Sequence, residues 1–274
     1  MPELPEVKVV CKALSEKITN KKIKEVYILK EKLFKEKTPQ EFINNLKNKT
    51  ILEIKNHGKH IIMFLSEDTI LLSHLRMEGK YRFYESPKAE DKHLMARFIF
   101  EDNSELHYCD SRMFGTFHLR NYQNYRKVLP LSKVAEEPDS VDIISVYNKM
   151  KNSDVAIKTK LLDQEIVAGI GNIYVDETLF AERISPLTKA KNLSFEQIKN
   201  LINRADLIMK ESFKKGGTTL MSYESLNNQE GQYQNFLKVH NDKIKNCTIC
   251  NGKISKIKVN QRGTYYCQNC QKEY

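Results

Sequence analysis

Four of the six cysteines in this 274-residue chain are spaced as Cys247-x-x-Cys250, sixteen residues, then Cys267-x-x-Cys270. Each pair on a tight turn brings two thiolates to one ion, and two such knuckles on a hairpin complete a closed tetrahedral zinc site. With no open position left, the chemistry expected there is structural: one zinc ion with four cysteine ligands. Between the knuckles lie Lys253, Lys256, Lys258 and Arg262, and Thr264, Tyr265 and Tyr266 precede the third cysteine. Cations on a rigid hairpin suit phosphates or a groove. Zinc ribbons also mediate protein contacts, so DNA in particular does not follow from this motif alone.

A second stretch with chemical potential runs from Ala156 to Phe180, AIKTKLLDQEIVAGIGNIYVDETLF. It reads as a helix ending near Gln164, a turn at Gly169-Ile170-Gly171, and a second helix from Ile173 to Phe180 capped by Asn172, with Asp176 and Glu177 in or near its first two turns. Backbone amides freed at such a turn make a phosphate-binding corner. Two packed helices joined by a glycine turn explain the same pattern equally well. The charge balance favours a polyanion: Lys+Arg 45 against Asp+Glu 35 give +10, and the last 37 residues hold eight cations and only two acids. A solvated lysine-rich surface is the plainer reading of that tail.

Chain length fits about two domains at the usual ~150 residues each. No stretch approaches the ~18 uncharged apolar residues of a membrane span, and MPELPEVKVV lacks the basic start and apolar run of a secretion signal. A cytoplasmic protein is expected, in a reducing compartment where paired cysteines serve as metal ligands and not as a disulfide scaffold. Val7, Val10, Cys11, Leu14 and Ile18 recur three to four apart, which predicts an amphipathic helix from Pro5 to Ile18. Short β-like runs follow from Ile23 to about His118: IKEVYIL, TILEIKN, HIIMFL, TILLSHL, ARFIF and ELHYC, separated by turn signals such as Glu67-Asp68. They imply an antiparallel sandwich or barrel. After a polar stretch with Pro130 and Pro138 the pattern turns helical to about Lys215, which puts a boundary near 130 to 142. The best-marked helix starts after Leu193 with a Ser194/Gln197 capping box and stops at Gly216-Gly217.

MPELPEV at the start, HLRMEG at 74–79, DSRMFG at 110–115, IKTKLLDQEIVAGIGNIYVDE, GGTTL at 216–220 and the closing hairpin with QRGTYYC occur in one order over nearly the whole chain. Together they resemble the bacterial formamidopyrimidine-DNA glycosylases, also called 8-oxoguanine DNA glycosylases. The resemblance implies an α+β, multidomain fold: an N-terminal β-sandwich with an N-terminal helix over 1–135, a helix-two-turn-helix domain over 136–236, and a zinc finger hairpin over 237–274. It implies an enzyme of base excision repair, both glycosylase and abasic-site lyase, acting as a monomer on damaged double-stranded DNA.

In that family the initiator Met is lost and Pro2 becomes the N-terminal secondary amine. An α-amino group titrates near ~8, against ~10.4 for lysine, so part of it is unprotonated near neutral pH. By the resemblance, Pro2 attacks C1′ of the damaged nucleotide, expels the base and forms a Schiff base that permits β- and then δ-elimination, with Glu3 as acid and base. Lys59, Asn172 and Arg262 match phosphate contacts, and the first and last are counted with the catalytic set. Met77, Arg112 and Phe114 match the side chains that fill the void left by an extruded nucleotide, a step that costs a few kcal/mol unless the stack is replaced. His93 and Lys158 stand near further DNA contacts. Met113 occupies a place where some relatives carry a second basic residue, Glu78 lies beside the Met77 wedge, and the 221–233 segment corresponds to a loop over the damaged base. The endonuclease VIII branch shares the architecture and the Pro2-Glu3 start but prefers oxidised pyrimidines; the PELPEV start and the Met77, Arg112, Phe114 set favour the purine-directed branch. A non-catalytic damage-binding relative is the alternative from another class, and it has no need of a free N-terminal proline.

Overall fold

Glu3 starts the first helix. Its backbone N–H donates to Glu6 Oε2 at 2.8 Å, and Pro5 sits in the first turn, where a missing N–H costs nothing. Helix α1 (Leu4–Ile18) buries Leu4, Val7, Val10, Cys11, Leu14 and Ile18, the stripe that the spacing predicts. The computed structural model describes residues 1–89, 91–219 and 226–274, and these form two compact units: 1–132 with 216–232, and 133–215 with 233–274.

In the first unit the chain continues through β1 (Ile23–Ile28), α2 (Pro39–Leu46), β2 (Ile51–His57), β3 (His60–Leu65), β4 (Thr69–His74), β5 (Lys80–Tyr84), β6 (Leu94–Phe100), β7 (Glu105–Cys109) and β8 (Thr116–Arg120). Two antiparallel four-stranded sheets result, ordered β1-β6-β7-β5 and β2-β3-β4-β8. Residues of both sheets and of α1 and α2 share one core, with Leu14, Phe42, Phe100, Tyr108 and Phe117 among its members. Six of these strands match the β-like runs. The short β5 (KYRFY) and β8 (TFHLR) alternate half-buried and buried positions and escaped the reading, as did α2, which Thr38 and Glu41 cap reciprocally. Segment 216–232 returns to this unit. Leu226 enters the core, and the Asn227 carboxamide pairs with the β5 edge, accepting from Phe83 N at 2.7 Å and donating to Phe83 O at 2.9 Å.

The second unit holds α3 (Ile143–Met150), α4 (Ile157–Leu161), α5 (Asn172–Ala181), α6 (Phe195–Lys214) and the hairpin β9 (Ile254–Val259) with β10 (Arg262–Cys267). The Ser194/Gln197 box forms as expected, and α6 ends before Gly216 and Gly217, both at positive φ. One expectation is corrected: α5 is capped by Gly171, and Asn172 is its first helical residue, because the Asn172 carboxamide is committed to the β10 strand. From Tyr174 to Phe180 every residue of α5 is buried, so this helix has no solvent face and no amphipathic stripe.

Gly79 and Gly115 both lie against the Tyr108 phenol. A Cβ on Gly115 would overlap Tyr108 Oη and stand 2.8 Å from ring carbon Cζ, and Tyr108 is fully buried, so it has nowhere to move. Gly115→Ala is therefore expected to destabilise the protein by about 2 kcal/mol or more, read as a lower urea midpoint at unchanged m-value.

Candidate functional site

Met1 is exposed and is followed by the buried pair Pro2 and Glu3 at the head of α1. Behind them Glu6 is buried as well, and its two oxygens do different work: Oε2 holds the Glu3 N–H, and Oε1 accepts the Thr218 N–H at 2.8 Å. Gly217 allows that approach, since a Cβ there would come within 3.0 Å of Glu6 Cγ and Oε1. Gly231 packs on Gly217, where a Cβ would overlap the Gly217 carbonyl, and its N–H donates to Thr219 Oγ1 at 2.9 Å. The two ends of the 216–231 loop are thus drawn together beside the N-terminus. Residues 221–225, the first part of the segment matched to a lesion-covering loop, lie outside the described residues.

Lys59 follows Gly58, which takes φ +53°, in the two-residue turn between β2 and β3, and it is buried there. Around it the strand ends carry His57, His60 and His74, all buried. Arg76 N–H donates to His74 Nδ1 at 2.9 Å, so that nitrogen carries no hydrogen. Burial, then the positive charge of His60, Arg76 and Lys59, holds His74 well below its ordinary range, and burial with Arg76 and His57 brings His60 down to about 3. Sequence reading did not single out His60 or His74. Their signal is a histidine at the end of each otherwise apolar run, HGKHIIMFL and LLSHLRM, which strand pairing brings into register as His60 opposite His74.

The loops at 75–79 and 110–115 meet at the Tyr108 phenol, on which Gly79 and Gly115 both pack. Fully buried Asp110 shapes the second loop: its carboxylate accepts from Arg112 N (3.0 Å), Phe114 N (2.9 Å) and Gly115 N (2.8 Å). Met113 takes φ +54° and packs towards the core, which turns its neighbours outward. Phe114 is 51% exposed with the Arg112 guanidinium 4.8 Å from its ring centre, and Met77 is 37% exposed. Glu78 is half-buried beside it. Exposed Phe and Met on fixed loops are poor for stability and well suited to wedging between bases. His93 is exposed at φ +63°, its carbonyl accepting the Asp110 N–H at 3.0 Å.

In the second unit two expected residues converge on one carbonyl, next to a third. Gly263 O accepts from Asn172 Nδ2 at 2.9 Å and from Lys158 Nζ at 3.1 Å, and the preceding residue, Arg262, is exposed at the hairpin tip after Asn260 and Gln261, both at positive φ. Lys158 departs from its expected role as a surface contact. It is completely buried, and its ammonium also donates to Asp176 Oδ1 (2.7 Å) and Thr264 Oγ1 (2.8 Å), so it braces the hairpin from within. Asp176 Oδ2 takes His240 Nδ1 (2.7 Å) and the Tyr265 N–H (3.0 Å). Next to it Glu177 accepts the N–H groups of Lys238, Val239 and His240 at 2.8–2.9 Å, although burial still raises its carboxyl above the ordinary range.

The four hairpin cysteines gather with all Sγ atoms within 4.8 Å of one another. Cys247 and Cys270 sulfurs lie 3.8 Å apart, and those of Cys250 and Cys267 3.5 Å apart. Tetrahedral zinc at ~2.3 Å from each sulfur requires edges of roughly 3.8 Å, so the set fits that ion. Ile249 and Gly252 N–H groups point at Cys247 and Cys250 Sγ at 3.4 Å, as thiolate ligands require.

Two outcomes follow. His60 and His74 resist protonation in the fold, so below about pH 6.5 the unfolded chain binds protons that the folded protein does not, and stability falls as pH drops. His60 Nδ1 has no hydrogen-bond partner, so His60→Phe is expected to fold normally and to flatten the decline between pH 6 and pH 4 by up to about 1.4 kcal/mol per pH unit, measured by urea unfolding across that range. Lys158→Met leaves Asp176 without its buried cation and is expected to cost about 3 kcal/mol in the same assay.

Residues 1–117 match the family model for the formamidopyrimidine-DNA glycosylase N-terminal domain, 134–224 the H2TH domain of the same enzymes, and 245–272 the zinc finger found in FPG and IleRS. The formamidopyrimidine-DNA glycosylase of Mycoplasmopsis pulmonis is 54% identical over 100% of this chain and 99% of its own, and that of Mycoplasma mobile 50% identical over 99% of each. Among solved structures, a Lactococcus lactis FPG mutant in complex with Fapy-dG-containing DNA superposes with a TM-score of 0.93 at 34% identity, covering 99% of this chain and 100% of that one. Family models span most of the chain and relatives of one kind match it end to end at up to 54% identity, so the chain belongs to the formamidopyrimidine-DNA glycosylase family.

Proposed function

We propose that Pro2, exposed as the N-terminal amine once Met1 is removed, is the nucleophile with which this DNA repair glycosylase excises oxidised purines such as 8-oxoguanine and formamidopyrimidines. The observation that carries this reading is the placement of Pro2 and Glu3 at the head of α1, buried behind an exposed Met1 and fixed by Glu6. Attack of the amine on C1′ expels the base and leaves an iminium ion, from which β- and then δ-elimination releases both flanking phosphates. Glu3 delivers and removes the protons. Lys59 from the β2–β3 turn, Asn172 from the start of α5 and Arg262 from the hairpin tip serve the phosphates, and His93 adds a further contact. Met77, Phe114 and Arg112 fill the space of the extruded nucleotide, Arg112 offering its fork of donors to the widowed base. Lys158 acts behind them, as the internal brace of Arg262.

The working parts on this reading are a sandwich domain over 1–135, a helix-two-turn-helix domain over 136–236 and the zinc hairpin over 237–274, in a cytoplasmic enzyme that meets duplex DNA as a monomer. Full-length likeness to formamidopyrimidine-DNA glycosylases does not favour the oxidised-pyrimidine or non-catalytic alternatives.

Borohydride reduction of the protein on a duplex with one 8-oxoguanine opposite cytosine tests the assignment. A covalent adduct is expected with the natural start, with phosphates left at both ends of the gap. A form that keeps an extension before Pro2 should give none, and Pro2→Gly should lower excision by roughly a hundredfold or more. Tight binding with no adduct from the natural protein would overturn the assignment of Pro2.

A further inference from the structure

On the face of the β1-β6-β7-β5 sheet away from the core lies a charged cluster that the chemistry above does not use. His107 on β7 is fully buried, with Nδ1 2.8 Å from Asp91 Oδ2 and Nε2 2.8 Å from Glu105 Oε2. Both ring nitrogens are thus engaged by carboxylate oxygens, one from the β5–β6 connection and one from β7 itself. Asp91 in turn takes Arg82 Nη1 at 2.8 Å and the Tyr84 hydroxyl at 2.9 Å, both from β5, and the Tyr84 ring stands edge-on to His107 at 5.0 Å. Arg97 on β6 is the register partner of His107, and its guanidinium lies over the Tyr27 ring.

Asp91 is not part of a strand. It belongs to the connection from β5 to β6, two residues before His93. Leu94 N–H closes a turn on Asp91 O at 3.1 Å, and within that turn His93 is forced to φ +63°, an unfavourable conformation for a residue with a Cβ. At the same point His93 O holds the N–H of Asp110, the residue whose carboxylate shapes the Arg112–Gly115 loop. The path from cluster to surface is therefore short: His107 and Glu105 fixed in the sheet, Asp91 clamped on them, His93 held in a strained turn, and Asp110 behind it.

We propose that His107 is a positioning residue for DNA binding, which through Asp91 sets the backbone turn that presents His93 to the duplex. This rests on the reading of His93 as a DNA contact. Removing the ring takes away the hydrogen-bonding bridge between Asp91 and Glu105, and the turn relaxes towards ordinary backbone angles. Binding should suffer while the chemistry at Pro2, once DNA is bound, does not.

The test is a double-mutant cycle on the natural-start protein with the 8-oxoguanine duplex. His107→Leu and His93→Ala are each expected to raise Kd roughly tenfold and the double variant no further, and His107→Leu should leave single-turnover excision at saturating protein within about twofold of wild type. His107→Gln, which keeps a hydrogen-bonding side chain of similar reach, should restore part of the affinity. Should His107→Leu fold poorly, Asp91→Asn breaks the same clamp from the surface side and is expected to behave alike. If His93→Ala weakens binding and His107→Leu and Asp91→Asn do not, or if the effects of His107 and His93 add, the positioning role is overturned and the contact stands. If His93→Ala leaves Kd unchanged, the contact and the positioning role both fall, while Schiff-base trapping at Pro2 is unaffected by either result.

Discussion

Two neighbouring carboxylates on α5 carry the second unit. Asp176 gathers Lys158, His240 and the Tyr265 amide, and Glu177 gathers three successive amides from Lys238 to His240. One helical turn thereby fixes the entry to the zinc hairpin and the strand that leaves its tip. A buried ion costs several kcal/mol to desolvate unless every lone pair is answered, and here each oxygen is answered. Such an arrangement tolerates little displacement, because losing one donor leaves a charge in an apolar interior. The zinc ion ties the far end of the same hairpin, and Arg262 sits at the free end between a braced base and a tight turn.

The first unit uses the same device at its own loops. Asp110 replaces the missing ladder bonds of the 110–115 loop with three side-chain acceptances, and Glu6 joins the head of α1 to the start of the 216–231 loop. Neither carboxylate touches solvent. Each ties loop amides to a buried point of the fold. Loops of that kind hold a side chain in place without help from a neighbouring strand, which matters where the outer face must stay open to a ligand.

Much of this was legible in the sequence because its signals are local. The α1 stripe, the Ser194/Gln197 box, the CxxC knuckles and the six longer β runs each report themselves within a dozen residues. What was missed is long-range. Asp110 reads as an ordinary turn residue until its three amides are seen, and the return of Leu226 and Asn227 to the first sheet has no trace in the residues between. Lys158 shows the limit most clearly. A lysine in a basic stretch of a DNA-binding chain reads as a surface contact, and only the fold reveals Asp176, Gly263 O and Thr264 closing around it. Asn172 was misplaced by one position for a similar reason, since a residue that looks like a helix cap is drawn off by a carbonyl ninety-one positions away.

The exposed wedge residues make sense only against this rigidity. Phe114 and Met77 lose apolar burial in the free protein, and a flexible loop would let them fold back onto the surface to recover it. Asp110 and the glycine contacts on Tyr108 forbid that retreat, so the rings and thioether remain outward at a standing cost in stability. In the proposed role the cost is recovered when they replace a stacked base, because little side-chain or loop entropy remains to be lost at that moment. Arg112 laid over Phe114 shields part of the ring until then, and a cation that leaves an aromatic face for a base edge exchanges one weak partner for hydrogen bonds. On the proposed reading, stability surrendered at the surface and restored on the duplex links the buried carboxylates to the extrusion of a nucleotide.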